Sequence, residues 1–161
     1  MHNEVTVRQA TLADCEQIFS IISENIDMLI GRSMGDIVSN IDRFVVAEKD
    51  GKVCASASYV IHPEIGAPRE ATVEIQSLAV RAGLRTRGIG RMIVETLIKR
   101  LSAYGLKDVL VLTFAPQFFS KLGFVEIPKT QVMHKLYTGC INCTKHTNPF
   151  TCPEIAMTRS F

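Results

Sequence analysis

The chain has 161 residues, 47% of them hydrophobic and 21% charged, with a formal net charge of +2. That length suits one compact domain with its own core, here residues 1–161, and the composition excludes disorder. So small a net charge excludes a general affinity for nucleic acid or membrane, and any electropositive function has to be local.

The opening residues carry no apolar signal core, and the apolar stretch at residues 53–61 is too short to span a bilayer. Five cysteines, an odd number, then read as reduced thiols of a cytoplasmic protein. Residues 4–8 alternate apolar and polar and predict a first strand. Thr11-Leu12-Ala13-Asp14 has an acid three residues after a threonine, the pattern that opens a helix, here running through Ile18, Ile21 and Ile22 to about Asn25. Gly31 and Gly35 break the next stretch into a loop carrying Arg32 and a short helix through Ile37, Val38 and Ile41. Residues 44–48 and 53–61 are strands joined through Asp50-Gly51, a strong hairpin signal.

Pro63, Gly66 and Pro68 mark a loop, and residues 71–80 form another strand. Its alternation puts Val73, Ile75 and Ser77 on one face and Glu74, Gln76 and Leu78 on the other. Ile89, Ile93, Leu97 and Leu101 recur every four residues in a helix over 88–104 that Gly105 stops. Residues 109–113 are a buried strand, Pro116 opens a helix with Phe118, Phe119 and Leu122 on its apolar side, and Gly123 ends it. Residues 124–127 continue as a strand, 128–153 are irregular and cysteine-bearing, and 155–158 could rejoin the sheet. The expected fold is α/β (α+β), a mixed sheet of six to seven strands flanked by about four helices.

The turn Arg85-Thr86-Arg87-Gly88-Ile89-Gly90 sits between a strand and the long helix. Two glycines let backbone approach a ligand closely, and the first N–H groups of a helix have no intrahelical partner and sit at its positive pole. Arg85, Arg87 and Arg91 add charge, so a diphosphate is the natural guest. The bland alternative is a tight turn with solvated arginines. Neither the dinucleotide fingerprint nor a Walker loop is present.

Glu74-Ile75-Gln76-Ser77-Leu78-Ala79-Val80 followed by that turn resembles the core motif of the GNAT acetyltransferase superfamily. Phe118-Phe119-Ser120-Lys121-Leu122-Gly123-Phe124 is similar to the superfamily's late helix motif. Arg32-Ser33, Ile41-Asp42-Arg43-Phe44, Val111-Leu112-Thr113-Phe114 and the cysteine-bearing tail further resemble short, stand-alone enzymes of the N-acetylglutamate synthase type, as opposed to the classical members that carry an amino-acid-kinase-like domain.

The resemblance implies acetyl transfer from acetyl-CoA to the α-amine of L-glutamate, the entry to arginine biosynthesis, by direct attack. Coenzyme A would be held by Leu78, Ala79, Val80, Arg85, Thr86, Arg87, Gly88, Ile89, Gly90, Arg91 and Phe119, with Leu78 and Val80 acting through their backbones. Glu74 is the candidate general base through a water, its alternative being a sheet carboxylate paired with an arginine. Phe118 and Phe119 occupy the stretch where the superfamily often has a tyrosine acid, leaving Tyr137 as a substitute. Arg32 and Lys135 are the candidate cations for the amino-acid carboxylates, beside Ser77; each could equally be a solvated surface charge. The remaining alternatives are another acceptor (a different amino acid, a polyamine or a peptide N-terminus) and a non-catalytic module that senses acetyl-CoA. A homodimer is compatible with all of these.

Cys140-x-x-Cys143 with His146 and Cys152 has the donor types of a Cys₃His zinc site, and free thiols are the preferred reading of the same residues. Cys15 and Cys54 fit as small core residues.

Overall fold

The computed structural model describes residues 4–64, 66–132, 140, 143 and 145–161. Seven strands join one sheet in the order β1-β2-β3-β4-β5-β7-β6, and four α-helices accompany them among the described residues, as the sequence leads one to expect. The chain divides into two compact units, Met1–Tyr59 with Ile75–Arg100, and Val60–Glu74 with Leu101–Phe161.

In the first unit β1 (Thr6–Gln9) lies antiparallel to β2 (Phe44–Lys49), with Thr6 opposite Glu48 and Gln9 opposite Val45. The hairpin from β2 to β3 (Lys52–His62) closes on Asp50 and Gly51 at φ 51° and 74°. Two consecutive left-handed residues are what a hairpin turn matched to the strand twist requires, which is why Asp-Gly announces it. A register shift between Ala47 and Glu48 adds a bulge.

Helix α1 (Cys15–Glu24) follows a 3-10 turn over Leu12–Asp14, and its Ile18, Ile21 and Ile22 are 0–1% exposed. They join Phe44, Val46 and Val53 in one core cluster, each such side chain contributing about 1.5–3 kcal/mol by burial. The short α2 (Met34–Ser39) is capped by Ser33, whose Oγ accepts from the Asp36 N–H, and it contributes Ile37 to the same cluster. In α3 (Ile89–Leu101) the predicted stripe Ile93, Leu97 and Leu101 is fully buried. A 3-10 turn and Gly105, at φ 73°, end it.

The second unit begins β4 (Thr72–Val80), paired in parallel with β5 (Asp108–Thr113) at Val73–Val109 and Glu74–Leu110. After α4 (Pro116–Ser120), Gly123 at φ 84° turns the chain into β6 (Val125–Glu126). The last strand, β7 (Ile155–Ser160), is antiparallel to β5 over six residue pairs and to β6 over two. It therefore inserts between strands that precede it in sequence. Leu110, Val132 and Ala156 form the buried cluster there.

The two-face alternation expected along β4 is interrupted at Ser77. Val73, Glu74 and Ile75 are all buried, as befits a strand covered on both faces, and Ser77 takes φ 54° in mid-strand. No helix among the described residues is long and apolar enough to cross a membrane.

Candidate functional site

Strand β4 carries most of the chemistry, and its irregularity is the first clue. A serine in the left-handed region costs about 1–2 kcal/mol, so something must hold it there. The Arg32 guanidinium bonds its side chain, donating from Nη1 to Ser77 Oγ at 3.2 Å and to Ser58 Oγ on β3 at 2.9 Å. Arg32 is itself fixed by an ion pair from Nε to Asp36 one helical turn on, and it stacks 5.0 Å over the Phe44 ring. Its side chain is only 16% exposed. The sequence had offered Arg32 as either an anchor or a solvated cation, and the solvated version is gone. Asp36, which also accepts from Asn40 Nδ2, means that a ligand carboxylate would meet a cation already shared. Neither Ser58 nor Asp36 was singled out in the sequence, where an isolated serine or a helix-start aspartate carries no signal.

Beyond Val80 the chain makes a 3-10 turn over Ala82–Leu84 and then places Thr86 at φ 65° and Gly88 at φ 80° before α3 begins at Ile89. A Cβ added to Gly88 would meet nothing within 4 Å, so glycine is required there by its dihedral rather than by crowding. The first turn of a 13-residue helix follows at once, with its amide donors and dipole. The arginines around it divide into two kinds. Arg85 is tied down, donating to Asn25 Oδ1 at 2.8 Å and to the Val80 carbonyl at 3.4 Å. Asn25 donates to the same carbonyl at 3.3 Å and to that of Ile21, so the end of β4 is laced to the end of α1. Arg87 and Arg91 are exposed and make no hydrogen bond or ion pair among the described residues. Those two are available to an anion. Leu78 and Val80 are half-buried and Ala79 is buried.

In the second unit Glu74 is 3% exposed, and its Oε2 lies 2.7 Å from Nε2 of His62, itself 5% exposed. Glu74 thus has the imidazole of His62 as a buried partner, where the alternative reading of the sequence looked for an arginine. A lone histidine closing a strand before Pro63 gave no sign of this. Phe119, 5% exposed, packs edge-on between Phe118 at 4.9 Å and Phe124 at 5.3 Å between centroids, a core position.

Lys135 and Tyr137 lie outside the described residues. Of the tail, Cys140, Cys143 and Cys152 are half-buried free thiols, and Lys129 Nζ ties the segment by donating to the carbonyls of Pro149 and Cys152. His146 Nε2 is buried without a hydrogen-bond partner among the described residues. No three His, Cys, Asp or Glu side chains among the described residues are grouped so as to hold a metal. Cys15 and Cys54 are buried, and burial pushes both thiols up from their ordinary value.

Comparison with known proteins gives a consistent picture. An uncharacterized N-acetyltransferase of Chlorobaculum tepidum is 36% identical over 163 residues, covering 98% of this chain and 97% of that protein. An amino-acid acetyltransferase of Mycobacterium tuberculosis is 29% identical over 136 residues, covering 81% of this chain and 74% of its own length. Among solved structures, a Mycobacterium tuberculosis protein crystallised with CoA superposes with a TM-score of 0.79 at 22% identity, over 97% of this chain and 99% of that one. The N-acetylglutamate synthase of Neisseria gonorrhoeae, bound to coenzyme A and N-acetyl-glutamate, gives 0.77 at 21% identity over 99% of this chain, which spans only 36% of that protein. The acetyltransferase (GNAT) family matches residues 16–124, and the chain belongs to that family.

Proposed function

We propose that the protein transfers an acetyl group from acetyl-CoA to the α-amino group of an amino acid, L-glutamate first among them, in the manner of the opening step of arginine biosynthesis. The observation that carries this is the position of Arg32. A largely buried guanidinium bonds Ser77 of β4, the residue immediately before Leu78, so an acceptor-binding cation is tied to the strand one residue ahead of the backbone proposed for the donor. Polyamines and other cationic acceptors would instead meet like charge there. The relatives named amino-acid acetyltransferase, and the fold shared with an N-acetylglutamate synthase, support an amino-acid acceptor.

In this reading the coenzyme A diphosphate sits on the amides of the first turn of α3, with Arg87 and Arg91 against it and Gly88 and Gly90 leaving room for the approach. Backbone groups of Leu78 and Val80 hold the pantetheine arm and polarise the thioester carbonyl. The Val80 carbonyl is already bonded to Asn25 and Arg85, which fixes its direction. The amino acid arrives as an ammonium. Glu74 removes a proton through a water, the freed amine attacks the carbonyl carbon, and the tetrahedral oxyanion collapses with expulsion of the CoA thiolate. A thiolate with a conjugate-acid pKa of about 8.5 leaves readily, and the second proton lost by the attacking nitrogen passes through solvent to it, so no dedicated tyrosine is needed.

The ion pair between Arg32 and Asp36 favours one narrower second reading. A cation already half-neutralised accepts an amide side chain nearly as well as a carboxylate, which points to glutamine as the competing acceptor. Thiol release from acetyl-CoA against a panel of amino acids decides. Turnover highest with L-glutamate is expected, glutamine ahead of glutamate selects the second reading, and no turnover with any amino acid overturns both. Arg32→Ala is expected to raise the amino-acid KM about 10- to 100-fold, the worth of one or two charge-assisted hydrogen bonds. The acetyl-CoA KM should change less than about threefold in the same assay, well under what one such bond is worth.

A further inference from the structure

A carboxylate with almost no access to bulk solvent keeps a single orientation only if its oxygens are bonded, and Glu74 receives one such bond from the end of the neighbouring hairpin strand. His62 Nε2 and Glu74 Oε2 lie 2.7 Å apart, at the short end of the range for a bond to an ionised acceptor. One proton occupies that bond. With Glu74 ionised, as a general base has to be before it acts, the proton belongs to Nε2 and the imidazole is the donor.

We infer that His62 is the positioning residue for Glu74: its Nε2–H fixes Oε2 and so sets the orientation of the carboxylate that takes the acceptor's proton. The inference rests on the reading of Glu74 as general base. It assigns His62 no contact with substrate or acetyl-CoA, so its effect should fall on kcat alone. A base displaced by about 1 Å loses on the order of 10²-fold.

Five variants test it by thiol release, each checked for folding by thermal melting. His62→Leu, which cannot donate, is expected to lower kcat about 10- to 100-fold with both KM values within about threefold of wild type. His62→Gln, whose amide nitrogen falls near the position of Nε2, should recover most of that loss. His62→Asn, a bond too short to reach Glu74, should not, and it takes the place of the leucine variant if that one fails to fold. In a Glu74→Gln background, His62→Leu should cost nothing further, since the group it positions is gone. A wild-type kcat for His62→Leu and His62→Asn, or a loss that simply adds to that of Glu74→Gln, overturns the inference while leaving Glu74 as base. An undiminished kcat for Glu74→Gln itself overturns the base reading and this inference together, so the two failures are told apart.

Discussion

Glu74→Gln is expected to lower kcat for acetyl transfer about 10²- to 10⁴-fold, the range over which a positioned general base acts, with both KM values within a few-fold of wild type. The size of the effect follows from the state in which the acceptor arrives. An α-ammonium has no lone pair, and at neutral pH only a small fraction of an amino acid carries a free amine, so a group that removes the proton in place acts on every turnover. Glutamine keeps the shape of the side chain and can still bond His62, but it cannot accept the proton. The opposing view is that Glu74 is only the structural partner of His62. That view predicts something different, a lowered melting temperature from disturbing a buried pair, with kcat nearly intact. Steady-state kinetics and a thermal melt on the same preparation separate the two. Loss of kcat without loss of stability supports the base, and the reverse pattern would retire it.

Much of the fold was legible because its punctuation is local. Asp50-Gly51 needs two positive φ values and has them, Gly105 and Gly123 end α3 and α4 in the left-handed region, and Pro116 sits in the first turn of α4. The stripe of Ile93, Leu97 and Leu101 is buried for the periodic reason that predicted it. What the sequence could not supply is contact at a distance. Ser77 at φ 54° contradicts every local preference of a serine in a strand, and its hydrogen-bond partner, Arg32, lies 45 residues upstream. His62 is bonded to a residue twelve positions on, and nothing about a histidine before a proline announces that. The sorting of the arginines belongs to the same class. Arg85, Arg87 and Arg91 look alike in the sequence, yet Asn25 captures the first and leaves the other two to solvent. The last strand was legible in part: residues 155–158 were expected to rejoin the sheet, and β7 does so over Ile155–Ser160, where pairing with β5 and β6 on either side sets its place in the order.

Asp14→Ala is expected to cost the largest share of stability of any single polar substitution in the first unit, about 2–4 kcal/mol. The carboxylate is 4% exposed and accepts four bonds: both Arg8 amino groups at 2.8 and 2.9 Å, the Thr11 N–H at 2.8 Å and the Thr11 hydroxyl at 3.2 Å. Removing one partner of a buried pair costs about 3–5 kcal/mol, reduced here because the Arg8 side chain is 38% exposed and can find water, and because Glu48 still accepts from it. Loss of the helix entry adds about 1 kcal/mol. For a chain of this size the melting temperature should fall roughly 4–16 °C.

The pH dependence identifies the mechanism. The side-chain bond from Arg8 holds the Asp14 carboxyl below the ordinary aspartate value, so the folded state binds its proton more weakly than the unfolded chain. The stabilisation is therefore complete above the unfolded value, near pH 4, and drains away as pH falls through it towards the lower folded value. Wild type should lose stability over that acid window more steeply than Asp14→Ala, with the two curves converging at the acid end. Parallel curves in a pH series of thermal melts would show that Asp14 acts through packing and not through its charge.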